Sequence, residues 1–179
     1  MTTLEQLRDA IPYYAKDLKL NLGSVLATTG APGLNERQIW MIALATAIAS
    51  RNASFAHRIE ELAAAVLDPA AVTGAKAAAA IMGMNNIYYR FTHLVEDAEY
   101  RTMPARLRMN VIGNPGIDKA DFELLSLAVS AVNGCGMCMN SHDAVLKKHG
   151  VAREAIQSAV RIGSVIQAVA GVLAYEAAA

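Results

Sequence analysis

The chain has 179 residues, 54% of them hydrophobic, and its 16 basic and 16 acidic side chains cancel to a formal net charge of +0. That length and apolar content suit one domain, residues 1–179, with a sizeable core. The charge balance argues against nucleic acid or an anionic membrane as partner.

Abundant alanine with only 6% aromatic residues predicts an all-α protein packed through small side chains. The opening MTTLEQLRDA lacks the charged start and apolar core of a signal peptide, so a cytoplasmic location is expected. Thr3 with Gln6 forms a capping box, and Pro12 suits the start of a second helical stretch through Tyr14, Leu18 and Leu22. Thr28 to Gly33 is a loop. Asn35 with Gln38 opens the apolar helix IWMIALATAIA, which ends near Arg51-Asn52, and a shorter helix covers Ser54 to Leu67. Asp68-Pro69 and Thr73-Gly74 punctuate the chain before an alanine-rich helix carrying IMGMNNIYYRF, and Asn114-Pro115-Gly116 is a turn. Asp118 caps the next apolar helix, which stops near Asn133-Gly134; Gly150 ends the one after it, and Ala152 to about Ala177 makes the last. That last helix is apolar enough to raise a membrane question, but Gln167, Glu176 and its small residues favour burial between helices.

Both cysteines lie in one motif, NGCGMCMNSH. Cys135 and Cys138 are spaced so that a tight turn or a first helical turn brings the sulfurs within disulfide reach. In a cytoplasmic chain two cysteines point to a redox or metal pair rather than a disulfide scaffold. His142 follows Cys138 by four residues, one helical turn, which stacks imidazole and thiol on one face. If the helices on either side of Gly134 fold back antiparallel, Glu123 and His142 stand at comparable heights. A chain Glu123, His142, Cys138, Cys135 then has chemical logic. The carboxylate fixes the imidazole, the imidazole takes the thiol proton, and the second thiol protonates a leaving alkoxide and closes the disulfide.

Plainer readings stand beside this one. The cysteines could be inert core groups, and Glu123 a surface residue at a helix start. Cys135, Cys138, His142 and His149 could form a Cys₂His₂ zinc set, although the histidine spacing is wider than in a zinc finger and no second cysteine pair exists. His57, His93 and His149 read as solvated or capping, Met82 and Met84 as core filler, and Tyr88, Tyr89 and Arg90 as a subunit contact or core. The dipole at a helix start favours Cys135 as the reactive thiol. Only Cys138 has a histidine at helical spacing, and the ion pair is the stronger influence.

QIWMIALATAIASRN and DFELLSLAVSAVNGC share an apolar pattern at an offset of 83, with Trp40 matching Glu123 and Asn52 matching Cys135. Two related helical halves, about 34–100 and 117–179, are therefore expected, the first chemically silent.

AIMGMNNIYYR, LRMNVIGNPGI and FELLSLAVSAVNGCGMC followed by His142, together with IPYYAKDLKLNL near the start, closely resemble the alkyl hydroperoxidase D (AhpD) family of the carboxymuconolactone decarboxylase-like superfamily. The resemblance covers nearly the whole chain and implies an all-α fold, commonly a homotrimer. It implies an alkyl hydroperoxide reductase that reduces organic peroxides and regenerates the peroxiredoxin alkyl hydroperoxide reductase C. No cofactor would be tightly bound; dihydrolipoamide on a lipoylated acyltransferase, re-reduced by lipoamide dehydrogenase, would supply electrons. Carried onto this sequence, Cys138 becomes the sulfenic acid and Cys135 is proton donor and resolving thiol. Glu123 and His142 form the proton relay. Met137 departs from the family pattern, where a second histidine lies between the cysteines; a lower rate or shifted pH optimum follows. The runners-up are a muconolactone-type decarboxylase on the same fold, or a non-catalytic metal-bound or assembly protein.

Overall fold

Two helices with no exposed side form the centre, α3 (Glu36–Ala49) and α8 (Lys119–Val132). Every residue from Ile39 to Ala47 and from Phe122 to Ser130 is buried, as expected of a helix apolar on all faces. The structure is a computed structural model describing residues 3–178, and among these residues it has ten α-helices and no strand. The other eight are α1 (Leu4–Asp9), α2 (Lys16–Val25), α4 (Ala53–Ala63), α5 (Pro69–Leu94), α6 (Glu99–Thr102), α7 (Asn110–Gly113), α9 (Gly136–Lys148) and α10 (Arg153–Glu176). Around the central pair, α5 and α10 pack against both α3 and α8, α4 lies on α3, α2 on α10, and α9 on α8 and α5.

The caps place these helices. Thr3 and Asn35 each form a full capping box with a glutamine three residues on, while Asp68 and Asp118 accept from first-turn N–H groups. At the opposite ends, α3 and α8 both leave through a residue at positive φ. Gly134, at φ +70°, follows the C-cap Asn133; its N–H donates to the Ala131 carbonyl and the Cys135 N–H donates to the Ser130 carbonyl. This is a Schellman closure. In the other half Arg51 takes that left-handed position at φ 63°, its N–H donating to the Ile48 carbonyl.

Helix bounds repeat along the chain at an offset of 83. Shifting the bounds of α3 by 83 residues gives those of α8. The same shift carries Asn52, N-cap of α4 at φ −96° and ψ 93°, onto Cys135, N-cap of α9 at φ −95° and ψ 91°. Between the halves, Asp121 of α8 accepts from Gln38 at 2.8 Å and pairs with Arg37 at 3.1 Å, both on α3.

Three expected boundaries move. A 3-10 turn, Tyr13–Ala15, separates Pro12 from α2. Helix α4 stops at Ala63 rather than Leu67, where the Val66 and Leu67 N–H groups both close on the Ala63 carbonyl. Thr73-Gly74 does not interrupt the chain: α5 runs through both from Pro69, because Gly74 lies under the Ile117 side chain in space that a Cβ would fill. Helix α10 is the one described helix long and apolar enough to cross a membrane, and half of its apolar window is buried against its neighbours.

Candidate active site

The turn at Gly134 makes Cys135 do two jobs at once. Its N–H closes α8, and its Sγ accepts from the Cys138 N–H at 3.3 Å to open α9. Cys135 and Cys138 are joined as a disulfide, their Cα atoms 5.3 Å apart, within the usual range. Cys135 is wholly buried and Cys138 is 7% exposed. Only Cys138 opens on a cleft, because Cys135 is occupied as the joint between two helices.

Helices α8 and α9 fold back on each other, and this brings together the residues that the spacing singled out. His142 Nδ1 lies 2.6 Å from Glu123 Oε2, with side chains only 12% and 6% exposed. With Nδ1 donating to the carboxylate, the neutral ring keeps Nε2 as its acceptor, the tautomer a general base needs. Cys138, His142 and Glu123 line one cavity of about 340 Å³. Its apolar wall is Met82 and Tyr89 of α5, Met109 and Ile112 around α7, and Val145 of α9. Asn85 and Ser141 complete the polar side, and Met137, 42% exposed, stands at its edge.

His57, His93 and His149 are exposed, and His149 is the C-cap of α9. Among the described residues no group of three or more His, Cys, Asp or Glu side chains converges to hold a metal, so the Cys₂His₂ arrangement is not assembled.

Sequence reasoning missed the polar brace behind the cysteines. Asn86 of α5, fully buried, donates from Nδ2 to Ser130 Oγ at 2.8 Å and accepts at Oδ1 from Asn133 Nδ2 at 3.0 Å. Arg90 donates to the Asn133 carbonyl at 2.6 Å. Together they pin the turn that presents Cys135. Met82 is core as expected, 1% exposed, and it also lines the cavity, as does Tyr89, for which the sequence offered a subunit contact or core. The available signal was Asn85-Asn86 itself, two adjacent carboxamides inside an alanine-rich helix, which must find partners if buried.

A family model described as the carboxymuconolactone decarboxylase family matches residues 98–179. Alkyl hydroperoxide reductase AhpD of Streptomyces griseus subsp. griseus is 57% identical over 174 residues, covering 97% of this chain and 97% of the relative. The protein of the same name from Hyphomonas neptunium is 57% identical over 176 residues, 98% of this chain and 96% of its own. That of Rhodospirillum centenum is 56% identical over 176 residues, 98% and 93%.

Proposed function

Because this chain belongs to the alkyl hydroperoxide reductase AhpD family, we propose that it reduces organic hydroperoxides through Cys135 and Cys138. The observation that carries the reading is the Glu123–His142 bond of 2.6 Å beside a cysteine pair of which one member faces a cavity. In the reduced protein His142, held by Glu123, takes the Cys138 proton. The thiolate attacks the terminal hydroperoxide oxygen, an S–O bond forms as the O–O bond breaks, and the alkoxide leaves with the proton of Cys135. Cys138 is then a sulfenic acid. Attack by the Cys135 thiolate forms the disulfide and expels hydroxide, which recovers the His142 proton as water.

Reduction follows from exposure. An incoming thiolate can approach only the sulfur that faces the cavity, so the mixed disulfide forms on Cys138 and Cys135 leaves. A dihydrolipoyl arm, a dithiol on a long flexible stem, suits such a recessed target; the proposed donors are dihydrolipoamide on a lipoylated acyltransferase and lipoamide dehydrogenase. The same exchange chemistry would regenerate the peroxiredoxin alkyl hydroperoxide reductase C. Ile87, Phe91 and Leu94 form an exposed apolar stripe on α5 with Tyr100 and Met103 nearby, which supports a homotrimer with this face buried between subunits. A cytoplasmic setting, where dihydrolipoyl carriers are reduced, completes the reading.

The test is NADH oxidation coupled through lipoamide dehydrogenase and lipoamide, with and without cumene hydroperoxide. Wild type should sustain NADH oxidation beyond the initial reduction of lipoamide only with peroxide present, Cys138→Ser should show no such turnover, and Cys135→Ser should accumulate a sulfenic acid that dimedone traps. Undiminished peroxide consumption in Cys138→Ser would sink the mechanism. The family match also raises decarboxylation of a lactone acid by the Glu123–His142 pair. That reaction needs no thiol, so it would survive a Cys135→Ser, Cys138→Ser double substitution.

A further inference from the structure

Asn85 is 4% exposed, lines the cavity with Cys138 and His142, and its Oδ1 has no hydrogen-bond partner. Its neighbour Asn86 is also buried, yet uses both ends of its carboxamide. A buried carbonyl oxygen left unpaired costs stability, and an apolar residue of similar volume would avoid that cost. The position is therefore explained by a donor that arrives from the cavity. The cavity's own polar groups do not meet that need: Glu123 and His142 are bound to each other, Cys138 is tied to Cys135, Tyr89 Oη donates to Met109 Sδ, and Ser141 makes no bond to Asn85 Oδ1. A hydroperoxide, R–O–O–H, has a single donor, and it sits on the terminal oxygen that the sulfur attacks.

Resting on the peroxidase reading above, we propose that Asn85 is a substrate-positioning residue whose Oδ1 accepts the hydroperoxide O–H and holds the terminal oxygen over Cys138. The alkyl group then lies along Met82, Met109 and Ile112. On attack the S–O bond forms, the O–O bond breaks, and the alkoxide takes the Cys135 proton. The hydrogen on the terminal oxygen does not move. It becomes the sulfenic acid O–H, still bonded to Asn85, until the Cys135 thiolate displaces hydroxide and the site empties as water. Because Asn85 meets the O–O–H unit shared by every hydroperoxide, it governs the rate of oxidation and not the preference among alkyl groups.

The experiment separates the two half-reactions in wild type, Asn85→Leu and Asn85→Ala. Oxidation of the reduced pair by cumene hydroperoxide and by tert-butyl hydroperoxide is followed by stopped flow, and reduction of the disulfide is followed with dihydrolipoamide. The variants should oxidise about tenfold more slowly, the loss of one hydrogen bond at a buried acceptor. The factor should be equal for the two peroxides, while reduction by dihydrolipoamide keeps its wild-type rate and so shows that the folded site is intact. The alanine variant carries the test if leucine does not fold. Wild-type oxidation rates in both variants would overturn the proposal, as would an equal slowing of both half-reactions, which marks a purely structural role. A wild-type protein whose cysteines peroxide does not oxidise would overturn the peroxidase reading itself, before any variant is compared.

Discussion

Glu123 shows how much one residue's meaning depends on what it touches. In an apolar helix a lone glutamate belongs at the surface, yet it is 4% exposed here and pairs with His142 at 2.6 Å. Replacing it with glutamine preserves the size and an acceptor oxygen but removes the charge that, in the proposed mechanism, assists His142 in taking the thiol proton. Glu123→Gln should slow oxidation of Cys138 by cumene hydroperoxide by about 10²-fold, within the range for a disabled general base, with little change in Tm. A rate within a factor of about two of wild type would show that the carboxylate only packs. Met137 stands at the cavity edge, half-exposed, and supplies bulk but no proton.

At the scale of elements, the informative feature is the turn that ends α3 and α8. Both turns need a residue at positive φ. That conformation is free for glycine and costs an L-residue roughly 1–2 kcal/mol. Gly134→Ala should therefore lower unfolding free energy by about 1 kcal/mol, and Arg51→Gly should raise it by less, since the glycine also loosens the unfolded chain. Urea unfolding of the two variants reads both signs. Only Gly134→Ala should also disturb disulfide formation, because Cys135 hangs on that turn and Asn52 carries no thiol chemistry. The asymmetry is chemical, not geometric. Asn52 and Cys135 share backbone angles and both cap a helix, Asn52 through its amide oxygen and Cys135 through its sulfur.

At the scale of the whole molecule, stability depends on how caps and cross-links tie α3, α5 and α8 together. Asp68 is one such point: it caps α5 and stands 3.6 Å from Arg37 of α3. The Ala71 backbone N–H, with Arg37 adding its charge, holds the Asp68 carboxyl below its ordinary value of 3.8. A depressed carboxylate stabilises the fold above its unfolded pKa, and that contribution is lost as pH falls through the folded pKa. Wild type should therefore melt above Asp68→Asn at neutral pH, the gap closing below about pH 4; a gap that stays constant to acid pH would mean that the cap acts without its charge. We propose that the concordance of the two halves at an offset of 83 reflects an internal duplication in which one copy lost or never gained its thiols.

What could be read from the chain alone was whatever depends on near neighbours. The caps at Thr3, Asn35 and Asp118 hydrogen-bond within a single turn, the stop at Asn133-Gly134 is a local conformational requirement, and the Cys138 to His142 spacing is helical geometry. Thr73-Gly74 misled because local propensity marks a break there, and only packing under Ile117 overrides it. Tertiary structure alone decided the rest. Cys135 is buried at the joint between α8 and α9, and the Asn86–Ser130–Asn133 brace and the unpaired Oδ1 of Asn85 involve α5, which is distant in sequence from the cysteines. Hydrogen bonds between such segments leave no periodic trace, because periodicity records which face of a helix is buried and not what waits on the other side.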